Sequence, residues 1–574
     1  MYRNKIAAQS HRARIINHNY TAELHMKIVM LSFIVCTSML FSQDTITASD
    51  VRSAEKMYGV HFTETERDSM LDDLEYRLKS YTTLHTIHIP YDVIPSLLFN
   101  PIPAGMKLPS GKSIFHPGAV TKSSLPKDMD DLAFYSIEQL ASLIKSRTIT
   151  STALTKFFIA RLERYGPVLR CVITRTDSMA LALAAKADKE IAAGKYRGML
   201  HGIPYGVKDL LATKAYPTTW GSVPFKDQYI NADAAVIQKL TSAGAVLVAK
   251  LSMGELAMDD VWFGGMTRNP WDTTQGSSGS SAGSASATSA GLVPFAIGSE
   301  TWGSIVSPST VCGTTGLRPT YGRVSRTGAM ALSWSMDKLG PICRSVEDCA
   351  IVFNAIYGSD GIDPTVYDVP FRYDPGKVKM KKIRIGYVRS DFDSTKEGKE
   401  FQDAALAQLK KLGATLVPIE LPDIPAAAIS FILDAECSAS FDELTRSKRD
   451  SQLVLQGKGN WPNIFRASRF IPATEYVQAN RIRTLLIQAM NRMFRENRID
   501  LYVAPSLEGD NLLLTNLTGH PCIVVPNGFT GKGVPVSFSF IGKLFDEGTL
   551  LAVAKKYQEA TTFHLKHPKW VTGK

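Results

Sequence analysis

The chain has 574 residues, of which 44% are hydrophobic and 21% charged, which excludes global disorder and fibrous architectures and leaves room for several domains. Its net charge of +11 arises from 65 Lys and Arg against 54 Asp and Glu, and falls to +7 without the first 42 residues. No Lys/Arg-rich run marks a nucleic-acid track, so no nucleic-acid partner is expected.

The N-terminus reads as a targeting segment. Met26-Lys27 precedes an apolar run of 14 residues, Ile28–Phe41, and then Ser42-Gln43-Asp44. A basic start, a short apolar stretch and a small residue before a polar turn predict a secretory signal over residues 1–42, with Met26 as an alternative start. The run is shorter than the roughly 20 residues that span a bilayer, so no stable membrane anchor is expected. The product is expected outside the cytoplasm, periplasmic or secreted; it stays cytoplasmic if the segment is not a signal.

Residues 43–130 read as an extension. Ile46 to Leu98 look helical, as a helical pair, and Pro90, Pro95, Pro101, Pro103, Pro109, Pro117 and Pro126 then make an extended connector. From 131 to 574 the pattern is that of one large domain. Ser136-Ile-Glu-Gln139 is a capping box that opens an amphipathic helix. A second helix carries Leu154, Phe158 and Leu162 and is expected to stop at Gly166-Pro167. Ala234–Ser242 and Phe401–Leu412 read as helices, and Ala245–Ala249, Ile383–Val388, Ala414–Val417, Asp500–Ala504 and Cys522–Val525 as strands. Strands alternating with helices predict a layered α/β fold. The seven cysteines are too sparse for a disulfide scaffold, and no CxxC or HExxH spacing suggests zinc. Cys171, Cys312, Cys343, Cys349, Cys437 and Cys522 read as small buried hydrophobes.

One segment stands apart. Gln275–Gly291 holds seven Ser and four Gly in 17 residues, yet runs straight into the apolar stretch Leu292–Ile297 and a second tight cluster, Gly298-Ser-Glu-Thr-Trp-Gly-Ser304. Linkers do not interleave with core strands, so this is a built loop. Three shorter motifs are weak. Gly279-Ser-Ser281-Ala-Gly283 matches a nucleophile elbow, but no strand is expected before it. Ser142-Leu-Ile-Lys145 lacks a downstream K-T-G. Gly105–Ser113 has five residues between its glycine and Gly111 where a P-loop has four.

The long pattern is specific. His201-Gly-Ile-Pro-Tyr-Gly-Val-Lys208-Asp-Leu210, the Ser/Gly run and residues 298–326 follow in order, with Gly265–Trp271, Ser335–Pro341 and Leu517–Pro521. Together they resemble the amidase signature family, from about Ser136 to the C-terminus and most densely over 200–345. The resemblance implies an α/β/α sandwich around a large mixed β-sheet, here with an N-terminal helical extension. It also implies hydrolysis of a carboxamide C–N bond in a small molecule or peptide, with no cofactor and no metal. It assigns the base to Lys208, the intervening cis-serine to Ser280 and the nucleophile to Ser304. The backbone amides of Thr301, Trp302, Gly303 and Ser304 become the oxyanion hole. The spacing of 24 residues between the two serines selects Ser280 over the decoy pair Ser277 and Ser278. The family also contains the glutamine-hydrolysing A subunit of tRNA-dependent amidotransferases, which is the alternative function. Whether the chain forms a homodimer is left open.

These residue types suit the chemistry. A serine needs an adjacent base, and a lysine serves only if burial keeps it neutral. The apolar flanks of Lys208 predict such burial. Two positions depart from the common pattern: Trp302 stands where Gly is frequent, and Val306 where Arg is frequent. The indole is expected either in the core or in the substrate channel. The acyl pocket is expected around Asp434–Phe441.

Overall fold

Mostly buried between the two part-exposed edge strands, the short strands assemble into one eleven-stranded mixed sheet in a computed structural model that describes residues 45–118, 122–395 and 398–572. The strands are β1 (Val172–Arg175), β2 (Pro204–Lys208), β3 (Val246–Leu251), β4 (Ala296–Glu300), β5 (Thr315–Arg318), β6 (Lys338–Cys343), β7 (Arg384–Val388), β8 (Thr415–Ile419), β9 (Leu501–Pro505), β10 (Cys522–Phe529) and β11 (Pro535–Gly542). Their order is β8-β7-β9-β11-β10-β5-β6-β4-β2-β3-β1. The β8-β7-β9 and β4-β2-β3 runs are parallel and the remaining neighbours antiparallel. The expected layered α/β fold is therefore present, and its strands extend one to four residues beyond several of the predicted C-terminal ends.

The described residues form two compact units, one up to Ile89 and one from Pro90 onward. In the first, three helices replace the expected pair: Ala48–Tyr58, Glu64–Ser69 and Leu71–Leu84. Thr47 and Thr63 each close a capping box, and a buried Arg67–Glu55 pair at 2.6 Å joins the first two helices. The helix predicted to reach Leu98 ends at Leu84, because the proline-rich stretch beyond cannot continue it. The targeting segment lies outside the described residues. Among those described, no helix is long and apolar enough to cross a membrane.

In the second unit the capping box at Ser136 is formed as predicted, and Ser142 lies on that helix, where its hydroxyl accepts from the Ser123 amide. The following helix, α1 (Ser151–Leu169), runs through Gly166-Pro167 and does not stop there. Proline so near the end forfeits a single intrahelical bond, and buried Leu169 completes the last turn. The six described cysteines are all buried and free. The second half of the Ser/Gly run folds as α2 (Ala282–Ser289), every residue of which is buried. Only Ala, Gly, Ser and Thr occur in it, and that small-residue composition lets the helix lie directly on the sheet. A side chain on Gly283 would strike the Cys171 carbonyl and Ser252.

Candidate active site

β2 and β4 lie side by side and parallel, in register at Gly206–Ala296 and Val207–Ile297, so their C-terminal ends carry Lys208 and Ser299 to one point. Both strands are wholly buried, which accounts for their apolar sequence and for the burial of Lys208. The Lys208 Nζ donates to Ser280 Oγ at 2.8 Å and to Ser299 Oγ at 2.9 Å. Burial pushes its pKa down from 10.5 to about 7, against the charges of Asp337 and Glu300, which push it up. Asp209, next in sequence, faces away into an ion pair with Lys250 at 2.9 Å, both side chains fully buried. That pair ties β2 to β3.

The peptide between Gly279 and Ser280 is cis. Gly279 is required sterically: a Cβ there would overlap the Asp259 carbonyl. Gly279→Ala is therefore expected to displace Ser280 and reduce turnover at least about hundredfold, with thermal melting and steady-state rates as the joint readout. Next along, the Ser281 amide donates to the Ser304 carbonyl at 3.1 Å, bringing the second serine cluster against the first. Ser281 Oγ also donates to the Ser299 carbonyl at 3.0 Å. The decoy Ser277 bonds to the Ser278 carbonyl and takes no part in this cluster.

Ser304 follows Gly303, whose φ of 88° is a left-handed conformation that suits glycine. Glu300 braces the turn from below. One carboxylate oxygen accepts from the Ile305 and Val306 amides at 2.8 and 2.9 Å. The other accepts from Arg318 at 2.7 Å and Asn516 at 2.8 Å. Burial alone would raise its pKa, but Arg318 and Lys338 hold it at about 2. Thr301 is fixed by its hydroxyl, which donates to Asp337 at 2.6 Å. Asp337 in turn accepts from the Leu332 and Ser333 amides at 2.8 and 3.0 Å. Among the described residues, the amides of Trp302, Gly303 and Ser304 have no acceptor, so the turn leaves three backbone donors free.

Ser299, Glu300 and Asp337 do not stand out in the sequence. A lone acid inside a small-residue cluster is the signal that points to Glu300; Ser299 and Asp337 carry none. Trp302 is 44% exposed, so it is no core residue. Trp302→Gly is expected to change the ranking of amide substrates while lowering the melting temperature by no more than a few degrees. A strand does precede the G-x-S-x-G stretch, Asp272–Gly276, but it pairs only with Arg268–Asn269 in a two-stranded ribbon, outside the main sheet where a nucleophile elbow belongs. In Asp434–Phe441, Glu436 accepts from the Ser333 and Ser335 hydroxyls at 2.6 and 2.7 Å, one step removed from Asp337, which accepts from the Ser333 amide.

An α/β sandwich carrying this serine-rich constellation defines a hydrolase of amide C–N bonds. A sequence model of the amidase family matches residues 153–510, and the chain belongs to the amidase signature family. The A subunit of the glutamyl-tRNA(Gln) amidotransferase of Methylococcus capsulatus is 34% identical over 487 residues, covering 75% of this chain and 98% of that protein. That of Chloroflexus aurantiacus is 34% identical over 494 residues, covering 77% and 100%. The native peptide amidase from Stenotrophomonas maltophilia superposes with a TM-score of 0.68 at 29% identity, covering 75% of this chain and 98% of that one. An amidase family protein from Bacillus anthracis does so with a TM-score of 0.69 at 28% identity, covering 76% and 92%.

Proposed function

We propose that the chain is a stand-alone amidase that works through an acyl-enzyme on Ser304. Ser304 Oγ attacks the amide carbon as its proton passes to Ser280 Oγ, whose own proton passes to neutral Lys208 Nζ. The carbonyl oxygen, now negative, is held by the turn amides of Thr301, Trp302, Gly303 and Ser304. The C–N bond breaks as the proton returns through Ser280 to the departing nitrogen. Ammonia or an amine leaves, and water then cleaves the ester by the same path. The observation that carries this reading is the 2.8 Å bond between a fully buried lysine and Ser280.

A second reading, glutamine hydrolysis within a multi-protein complex, is favoured by the 34% identity to amidotransferase A subunits. Trp302 and Val306 speak against it, since they make the surroundings of Ser304 apolar. Ammonia release by the purified chain alone, from peptide amides, aryl amides, fatty amides and glutamine, separates the two. Glutamine as the preferred substrate would reverse the order. The amidase domain is taken to run from about residue 131 to the C-terminus. Export rests on the apolar run Ile28–Phe41; with its own N-terminus in a Gram-negative host, the product is expected outside the cytoplasm, beginning near Gln43. An uncleaved cytoplasmic product would contradict export.

A further inference from the structure

A cavity of about 230 Å³ opens against Ser299 and Thr301, the residues on either side of Glu300. Ser299 is the second acceptor of the Lys208 Nζ, and Thr301 belongs to the turn that leads to Ser304. The void therefore borders two direct neighbours of the reacting residues. Its walls are largely apolar and include Tyr91, Leu210, Met330, Trp334 and Leu339. One wall lies outside the segment that matches the amidase family: Tyr91, Asp92 and Ile94 come from the start of the proline-rich connector. Tyr91 is pinned by aromatic contacts, with ring centroids 5.0 Å from Trp220, 6.0 Å from Phe225 and 6.5 Å from Phe441. The connector thus closes the void as a fixed wall.

Four charged side chains line the same space: Asp92, Asp337, Asp363 and Arg326. The single cation is already engaged. Arg326 donates to the Trp334 carbonyl at 2.7 Å and to Thr365 at 3.0 Å, and lies 3.5 Å from Asp363. Asp337 is spent on Thr301 and two backbone amides. Asp92, at the exposed rim, has no hydrogen-bonding or ionic partner among the described residues. A carboxylate entering this cavity would lose its water, find no free cation and face three acids. An apolar group would lose nothing and gain burial.

We propose that this cavity receives the substrate's side chain, and that it selects amides whose acyl part is apolar and without negative charge, with Tyr91–Ile94 as the specificity-determining wall. The proposal rests on the Ser304 assignment and adds the substrate class. It also disfavours free glutamine, whose α-carboxylate would have no partner here.

The test uses the purified full chain with phenylacetamide, 4-carboxyphenylacetamide and glutamine, reading kcat and KM separately. The neutral amide is expected to exceed both anionic-group substrates in kcat/KM by at least about tenfold. Asp92→Lys, a change at an exposed site, is expected to narrow the gap between the two aryl amides about fivefold, through KM. Met330→Trp, which fills the void, is expected to raise KM for phenylacetamide at least about tenfold. Equal use of the two aryl amides, no turnover of phenylacetamide, or an unchanged ratio in Asp92→Lys would overturn the proposal. Should Met330→Trp fold poorly, Tyr91→Ala tests the same wall and is expected to shift the kcat/KM ratio of the two aryl amides about fivefold, read against its melting temperature. Ser304→Ala separates the two layers. If it is inactive while the wall variants change nothing, the cavity is wrong and the nucleophile stands; if it stays active, the nucleophile assignment itself fails.

Discussion

Ser304→Ala is expected to lower kcat at least about thousandfold while leaving the circular dichroism spectrum and melting temperature close to those of the parent. The serine hydroxyl makes no hydrogen bond to the described residues, and its backbone contacts, including the Ser281 amide bond, survive the change. A constellation that acts as a unit loses nearly everything with one member, and binding plus free turn amides supply only a residual rate. Ser277→Ala, in the decoy pair, is expected to stay within a few-fold of the parent, because among the described residues the Ser277 hydroxyl bonds only to its neighbour's carbonyl. Activity of Ser304→Ala within tenfold of the parent would remove the nucleophile assignment.

The second large effect concerns protonation. Burial brings Lys208 from 10.5 down to about 7, so the group is neutral above that pH and charged below it. Only the neutral amine accepts a proton. Turnover is therefore expected to be flat above about pH 7 and to fall about tenfold per pH unit below it. Lys208→Met, which keeps the buried volume without the amine, is expected to lose at least about thousandfold in kcat and to show no acid limb in what remains. An acid limb that persists unchanged in Lys208→Met would assign it to another group. The charges of Glu300 and Asp337 push the Lys208 pKa upward, so Asp337→Asn is expected to move the limb to lower pH.

Much of this was legible in the residues. The Lys208 strand is apolar on both sides, the pattern of a strand buried on both faces, and it is wholly buried. The Ser/Gly run could be distinguished from a linker because it feeds core strands, and its second half, Ala282–Ser289, proves to be a wholly buried helix. Other features depend on tertiary contacts that local sequence does not carry. Gly166-Pro167 looks like a helix stop, yet the buried end of α1 holds the last turn in place. Trp302 has the composition of a core residue but sits on a turn whose inner side is already filled by Glu300 and its partners, so the indole points outward. Ser299 reads as one more serine until the register of β2 against β4 places it beside Lys208. The cavity wall at Tyr91 is the least legible of all, because a proline-rich stretch before the domain gives no sign of where it returns.

Labelling with a fluorophosphonate, followed by digestion and mass mapping of the adduct, tests the central claim most directly, since the reagent reports which serine is both nucleophilic and served by a base. The account predicts a single adduct on Ser304 that is lost in Lys208→Met and in Ser280→Ala, and retained in Ser277→Ala. An adduct on Ser277, Ser278 or Ser280, or one on Ser304 that forms equally fast without Lys208, would contradict it.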